Sequence, residues 1–242
     1  ITDDGCKLAT TRDCLPNHQD AEKYVAACMG LRDYFSKVGI WSDVVLGLSG
    51  GADSALVALM AADVLGAEKV RCITMPSHFT SGASNTLAAR LAAGVGDGLP
   101  IHALPVGPVY DTFKKVLYGE FGSGEFGLAE ENLQAQIRGD FLSFVSNRFG
   151  SMILCTGNKS ELAMGYSTLY GDSRGAFNPL GDLYKTEVFD LLRMRHNHGL
   201  VGDEEFASRF DIAFGRRPVS MTKDAAEALR QITDRPPSAE LR

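Results

Sequence analysis

Leu46 to Ser54 reads LGLSGGADS, a stretch that opens in one kind of secondary structure and closes in another. Its first residues complete Val44 to Leu48, a short apolar run bounded by Asp43 and Ser49. No polar-apolar alternation interrupts that run, so it is expected to be a strand buried on both faces, the kind that parallel sheets contain. Its last residue begins Ser54 to Leu65, rich in alanine and leucine and stopped by Gly66, which predicts a helix. Paired glycines at a strand-to-helix turn let the backbone fold tightly and approach a bound group, and the helix N-terminus adds free N–H donors and a positive dipole end. Such a turn is suited to phosphate. It is neither a GxxxxGK[ST] loop, because the lysine is missing, nor GxGxxG, because Gly47, Gly50 and Gly51 are wrongly spaced.

Within the turn, Ser49 and Ser54 can offer hydroxyl hydrogen bonds to phosphate oxygens. Asp53 would repel a phosphate unless a divalent cation stood between them, which points to Mg²⁺. An isolated Asp at this position would serve equally well as a helix cap; the SGG before it and the Ser after it favour the phosphate reading.

Outward from the turn the chain keeps an alternating rhythm. A strand Val70 to Met75, a helix Asn85 to Ala93, a strand near Ile101 to Val106, a helix Val109 to Leu117 and a strand Met152 to Cys155 give the order of a parallel sheet with right-handed crossovers. Ahead of the first strand, Tyr24, Val25, Cys28, Leu31 and Phe35 recur at helical steps between Ala21 and Val38. Gly119 to Gly127, GEFGSGEFG, reads as a mobile loop before the longest helical segment, Glu130 to Phe149, with an apolar stripe of Leu133, Ile137, Phe141, Phe144 and Val145. A helix of that length can supply a subunit contact as well as core. Residues 1–20 read as a polar tail or linker, and past Leu200 the periodicity weakens.

The 242 residues carry 30 acidic and 24 basic side chains, a net charge of -6, so polyanions are not favoured and nucleic acid is not an expected partner. Cys6, Cys14, Cys28, Cys72 and Cys155 show neither a CxxC pair nor zinc-ligand spacing, and are expected to be reduced thiols. With no membrane-length apolar run and no signal pattern at the start, the expected location is cytoplasmic, with no membrane contact.

SGGADS resembles the pyrophosphate loop of the N-type ATP pyrophosphatases, enzymes that split ATP between its α and β phosphates. Three further stretches are similar to one branch of that group, the NAD synthetases: ENLQAQIR (Glu131 to Arg138) to ENxQARxR, CTGNKSELAMGYSTLYGD (Cys155 to Asp172) to TGNKSExxxGYxTLYGD, and PLGDLYKT (Pro179 to Thr186) to PLxDxxKT. The resemblance spans Leu46 to Thr186 in matching order and is to the synthetase module of glutamine-dependent, bacterial-type enzymes. It implies an α/β fold: a doubly wound, mostly parallel five-stranded sheet with helices on both faces, adenine nucleotide alpha hydrolase-like, in one domain over residues 21–242. It further implies conversion of nicotinic acid adenine dinucleotide (deamido-NAD) to NAD, with ATP and Mg²⁺ required, AMP and pyrophosphate released, and ammonia as nitrogen donor.

Carried onto this chain, the resemblance assigns the ATP site to Gly47, Leu48, Ser49, Gly50, Gly51, Ala52, Asp53 and Ser54 of the loop, with Thr156 and Lys185. Asp53 and Glu161 would be the Mg²⁺ ligands, and Asp53, Glu161, Lys185 and Asp172 the catalytic set. Outside the motif, Glu161 would read as a solvated first-turn carboxylate of the helix after Asn158. Asn132, Gln136 and Arg138 on the long helix, with Glu161, Tyr166, Tyr170 and Asp172, would bind deamido-NAD, the two tyrosines by stacking on its pyridine ring. A homodimer through the 130–149 helix is implied as well.

Two departures stand out. Gln136 replaces the arginine of ENxQAR, so a charge-assisted contact to the dinucleotide becomes a neutral one and weaker substrate binding is expected. RPPSAELR looks like the segment that precedes a further acidic LPPY stretch and a basic region, so the C-terminal part is expected to be incomplete. The twenty-odd residues before Tyr24 leave no room for a nitrilase-like amidase domain, hence the expectation that this chain alone uses ammonia; the alternative is the synthetase module of a glutamine-dependent enzyme whose amidase domain is absent from this sequence. A tRNA-modifying thiolase or adenylating enzyme of the same loop group would call for a basic face or paired cysteines, which this sequence lacks. A nucleotide-binding relative that has lost catalysis is a further alternative, motivated by Gln136 and the C-terminus.

Overall fold

Strand β1 (Asp43–Gly47) is the hub of the molecule, because its two faces bury different residues against different helices. A computed structural model describes residues 19–201 and 204–236. Most of the tail expected at residues 1–20, and most of RPPSAELR, lie outside them. Around β1 the sheet runs β3-β2-β1-β4, where β2 is Val70–Thr74, β3 Ile101–Ala103 and β4 Ser151–Ile153. All three pairings are parallel, with Val44 opposite Val70 and Met152, and Cys72 opposite Ile101.

Side chains alternate across the sheet, as strand geometry requires. Val44 and Leu46 of β1, Val70 and Cys72 of β2, and Met152 of β4 enter one large core. That core is shared with helices α1 (Gln19–Val38), α2 (Ala52–Leu65), α3 (Gly82–Ala93), α7 (Lys185–Val201), α8 (Glu204–Phe214) and α9 (Lys223–Asp234). Val45 and Ile73 face the other way, against Leu142 and Val145 of α5 (Leu128–Phe149). Beside them α4 (Gly107–Phe121) packs Tyr110 on Ile137. Helices therefore cover both faces, as expected. α2 lies deepest: all but two of its residues are buried, which explains why its sequence is apolar all round rather than striped.

The sheet has four strands, not the five expected. The chain does return along the free edge of β4, where Ala176 N–H donates to Ile153 O and Cys155 N–H to Phe177 O, both at 2.9 Å. Only a single bridge forms, Leu154 to Phe177. Asn178 then turns the chain by accepting Leu180 N–H at 3.2 Å, and Pro179 has no N–H to extend a ladder. Several boundaries differ from expectation, most of all that of α4. α4 continues to Phe121, so Gly119 is helical and the glycine-rich break begins at Gly122. On α5, Ile137 and Val145 are buried, but Phe144 is 70% exposed.

The weak periodicity past Leu200 conceals two helices. α9 is capped by Thr222, whose hydroxyl accepts Ala225 N–H at 3.2 Å, and it buries Ala225, Ala228, Leu229 and Ile232. Its apolar residues recur at helical steps, a stripe that the reading of weak periodicity past Leu200 passed over. Cys28, Cys72 and Cys155 are buried free thiols; Cys6 and Cys14 lie outside the described residues. Among the described residues no helix is long and apolar enough to cross a membrane.

Candidate active site

Strand order decides where the site lies. From β1 the chain moves outward to β2 and β3, then crosses back to put β4 on the other side of β1. β1 and β4 are neighbours, about 4.8 Å apart, and the loops leaving their C-terminal ends diverge, opening the crevice in which such sheets bind ligands. One loop is SGGADS; the other carries Thr156, Asn158 and Glu161.

Gly50 has φ +79°, and a Cβ there would lie 2.2 Å from the Ser84 carbonyl oxygen at the start of α3. Only glycine fits. Ser49 Oγ accepts Gly51 N–H at 3.2 Å, and Ser54 Oγ accepts Ser49 N–H at 3.2 Å while donating to Gly51 O at 3.1 Å. Ser54, 3% exposed, is enclosed by the loop, and its Oγ lies 3.1 Å from that of Ser49, which is exposed and is the serine whose hydroxyl can turn toward an anion. Leu48 and Ala52 bury their side chains, so they can serve the site only through the backbone. Gly50→Ala is expected to destabilise the protein by roughly 2 kcal/mol or more through backbone strain and the clash with Ser84. Gly51→Ala, at φ -94°, is the milder companion, and paired thermal melts compare them.

Asp53, in the first turn of α2, is held from two sides. Its Oδ1 accepts Asn158 Nδ2–H at 2.9 Å, and its Oδ2 pairs with Lys185 Nζ. Lys185 opens α7, and its backbone N–H is anchored to Ser160 Oγ at 3.0 Å. Asn158, fully buried, caps α6 (Lys159–Met164) through a reciprocal box: Asn158 Oδ1 accepts Glu161 N–H at 3.0 Å and Glu161 Oε2 accepts Asn158 N–H at 3.1 Å. The bland reading of Glu161 as a first-turn carboxylate therefore accounts for one of its oxygens. Burial pushes the Glu161 carboxyl above its ordinary range; the Asp53 and Asp172 charges add to this, and the Asn158 N–H and Lys185 oppose it.

Two cavities flank this cluster. One, of about 620 Å³, is walled by Gly50, Gly51, Ser84, Lys185 and, from the end of α9, Arg235. The other, of about 550 Å³, is walled by Gly47, Thr156, Asn132, Arg138 and Asp172. Ser49, Asp53, Glu161 and Tyr166 line both. The two carboxylates, Asp53 and Glu161, thus belong to the wall the cavities share.

In the second cavity Arg138 Nε donates to Met75 O at 3.4 Å, at the end of β2. Asp172 Oδ1 accepts Thr168 N–H at 2.6 Å, and Thr168 Oγ1 donates to Asn132 Oδ1 at 2.8 Å, a chain that ties the YGD turn to α5. The turn lies directly on the helix backbone: a Cβ on Gly139 would stand 2.5 Å from Tyr170 O, and one on Gly171 2.9 Å from the Ala135 carbonyl carbon. Of the residues expected to bind substrate, two line neither cavity. Gln136 is exposed on α5, and Tyr170, 73% exposed with φ +62°, projects outward.

Three residues escaped the sequence reading. Asn158 was legible only as a helix start, although N-K-S-E is itself a capping-box signature. Ser84 and Arg235, joined by an Arg235 Nη1–H bond to Ser84 Oγ at 3.1 Å, had no motif to mark them. Among the described residues no cluster of three or more His, Cys, Asp or Glu could hold a metal by itself. Asp53 with Glu161 fits instead a cation that completes its shell with water and phosphate oxygens, as Mg²⁺ characteristically does.

Comparison with known proteins identifies the family. Residues 23–242 match the family described as NAD synthase. A glutamine-dependent NAD(+) synthetase of Rhodobacter capsulatus is 45% identical over 224 residues, 91% of this chain and 36% of the relative. The solved glutamine-dependent NAD+ synthetase from Acinetobacter baumannii in complex with ADP superposes with TM-score 0.71 at 42% identity, covering 79% of this chain and 35% of that one. The NH3-dependent NAD synthetase from Campylobacter jejuni, in complex with nitrate, superposes with TM-score 0.64 at 28% identity, over 88% of this chain and 93% of that one. This chain thus spans about a third of the length of the curated relatives it matches. With residues 23–242 matched to that family and 91% of its length 45% identical to a relative, the chain belongs to the NAD synthase family.

Proposed function

We propose that this chain carries out the ATP-dependent amidation of deamido-NAD to NAD, with ammonia as the nitrogen donor. The observation that carries the reading is the meeting of Asp53, Asn158 and Lys185 beside the Gly50–Gly51 loop, at the junction of two cavities. A carboxylate is a poor electrophile and must first be activated. Its oxygen attacks the α phosphorus of ATP, the bond to the β-phosphate oxygen breaks, and pyrophosphate leaves. Ammonia then attacks the activated carbonyl, AMP leaves, and the nitrogen gives up a proton.

Each cavity suits one half of this chemistry. The chamber of Gly50, Gly51, Lys185 and Arg235 offers backbone donors, a helix N-terminus and two cations to the departing pyrophosphate. In the other, Thr156 would contact ATP, while Arg138, Asn132, Tyr166 and Asp172 would bind deamido-NAD, with Asp172 accepting the proton from nitrogen. Mg²⁺ held by Asp53 and Glu161 would neutralise charge on the phosphate oxygens. A protonated Glu161 cannot ligate, so the Mg²⁺ concentration giving half-maximal rate is expected to rise as pH falls through this raised carboxyl range. Rate titrations at several pH values check it.

Incubation with ATP, Mg²⁺, deamido-NAD and ammonium tests the proposal: NAD and AMP should appear in equal amounts. Replacing ammonium with glutamine distinguishes free ammonia from a donor supplied by an amidase domain, a reading favoured by the glutamine-dependent relatives. ATP binding without AMP release would indicate the impaired relative instead.

A homodimer through α5 is part of the same proposal. Val116, Phe121, Leu128 and Phe144 of α4 and α5 are 67–81% exposed, an apolar face of the kind that partners cover. Gln136 and Tyr170 project outward from their own protomer's cavities, which suits contact with a second copy. Leu128→Glu with Phe144→Glu, both on α5, should yield a monomer in sedimentation equilibrium.

A further inference from the structure

α2 and α7 each begin at the site, one with Asp53 in its first turn and the other with Lys185. Ten residues farther along each helix the pairing recurs: Asp63 meets Arg195. Arg195 Nε–H donates to Asp63 Oδ2 and Nη2–H to Asp63 Oδ1, both at 2.9 Å, with the residues 0% and 1% exposed. Tyr24 Oη–H of α1 donates to Asp63 Oδ2 at 2.6 Å, and Val219 N–H to Asp63 Oδ1 at 2.8 Å. Arg195 also donates to Val219 O. Every lone-pair direction that a carboxylate presents is thus used.

We infer that Asp63 and Arg195 form a positioning pair that sets the register of α7 on α2, and through it the approach of Lys185 to Asp53 and the loop. Equal spacing is the core of the argument. Ten residues advance either helix by about 15 Å, so the two ion pairs are rungs at matched heights on helices running in the same direction. With the lower rung bidentate and anchored from two further elements, α7 cannot slide or rotate on α2. A slip of one residue would carry Lys185 about 1.5 Å from its partner, a displacement of the size that impairs a preorganised site. Stability alone is a poor explanation of the pair, since packed apolar side chains of similar volume often stabilise as well or better. Directional bonding does what apolar packing cannot: it tolerates one register only.

This inference rests on the proposed role of Lys185 at the pyrophosphate. Its test is a binding cycle that needs no turnover. Affinity for inorganic pyrophosphate with Mg²⁺ is measured by calorimetry for the unaltered chain, Asp63→Asn, Lys185→Gln and the double variant, with thermal melts establishing folding. Asp63→Asn is expected to weaken pyrophosphate about tenfold, and Lys185→Gln to cost much less in the Asp63→Asn background than alone, because the two act through one contact. In steady state Asp63→Asn should lower kcat while leaving KM for deamido-NAD within about twofold. Unchanged pyrophosphate affinity in a folded Asp63→Asn, or losses that simply multiply, would overturn the inference. Should Asp63→Asn fail to fold, Tyr24→Phe, which removes one of the four bonds, enters the same cycle with about a threefold effect expected and the same criterion of non-additivity. Failure of the functional proposal looks different: the unaltered chain would make no NAD or AMP.

Discussion

Asp53→Ala is expected to lower kcat by on the order of 10²- to 10³-fold, the largest catalytic effect of any single substitution in this chain. Three losses coincide. Lys185 loses its carboxylate partner and Asn158 Nδ2 its acceptor, so the lysine side chain and the start of α6 are no longer tied to the loop. The proposed metal site is reduced to Glu161, one of whose oxygens already closes the Asn158 box. Charge building up on the departing pyrophosphate then meets an unfixed cation. Asp53→Asn separates these contributions: the amide can still accept from Asn158, but it brings no charge to Lys185 or to a metal, so activity should remain low while the fold is retained. Steady-state kinetics with a thermal melt on each variant checks this. An Asp53→Ala protein that turned over normally would remove the loop from the chemistry.

The largest effect on stability is expected from Arg195→Leu. It leaves the Asp63 carboxylate fully buried with only the Tyr24 hydroxyl and the Val219 N–H as partners. Breaking one side of a buried pair costs about 3–5 kcal/mol, and a domain of this size loses roughly 2–4 °C of Tm per kcal/mol. A fall on the order of 10 °C is therefore expected. Asp63→Leu combined with Arg195→Leu should regain much of it, since no charge is then stranded. At the surface, removing Arg217, which pairs with Glu204 where both are well exposed, should leave the melt unchanged. Differential scanning calorimetry of the four proteins distinguishes a buried charge from a surface one. Equal melts for Arg195→Leu and Arg217→Ala would contradict the account.

How much of this was legible in advance follows from how far each feature depends on distant contacts. The turn from β1 into α2 is local: a buried apolar run, two glycines and an alanine-rich helix lie within a few residues of one another, and the structure keeps all three. β4 was legible as a short apolar run, and the helix after it through TGNKSE, because that motif also encodes a helix cap. The hold of Asn158 on Asp53 was not legible, since it joins residues 105 apart in sequence and exists only because β4 lies beside β1. The outward placement of Gln136 and Tyr170 was hidden for a similar reason: a motif identifies residues, but which side of α5 meets the sheet is settled by packing. The fifth strand was implied by resemblance alone, with no stretch of sequence named for it, and where the chain passes β4 Asn178–Pro179 ends the approach after one bridge. Past Leu200, α9 is itself striped, with Ala225, Ala228, Leu229 and Ile232 buried, but what it packs against depends on distant contacts, and Arg235 at its end is brought to the first cavity by α9 packing on α3.

The central claim is that the turn after β1 grips the two phosphoryl groups released when ATP is cleaved between its α and β phosphates. Isotope exchange between labelled pyrophosphate and ATP, with Mg²⁺ and deamido-NAD present and ammonia withheld, reads that step alone. The account predicts exchange that requires deamido-NAD and disappears in Asp53→Ala. Label entering ATP equally well in Asp53→Ala, or cleavage to ADP and phosphate, would contradict it.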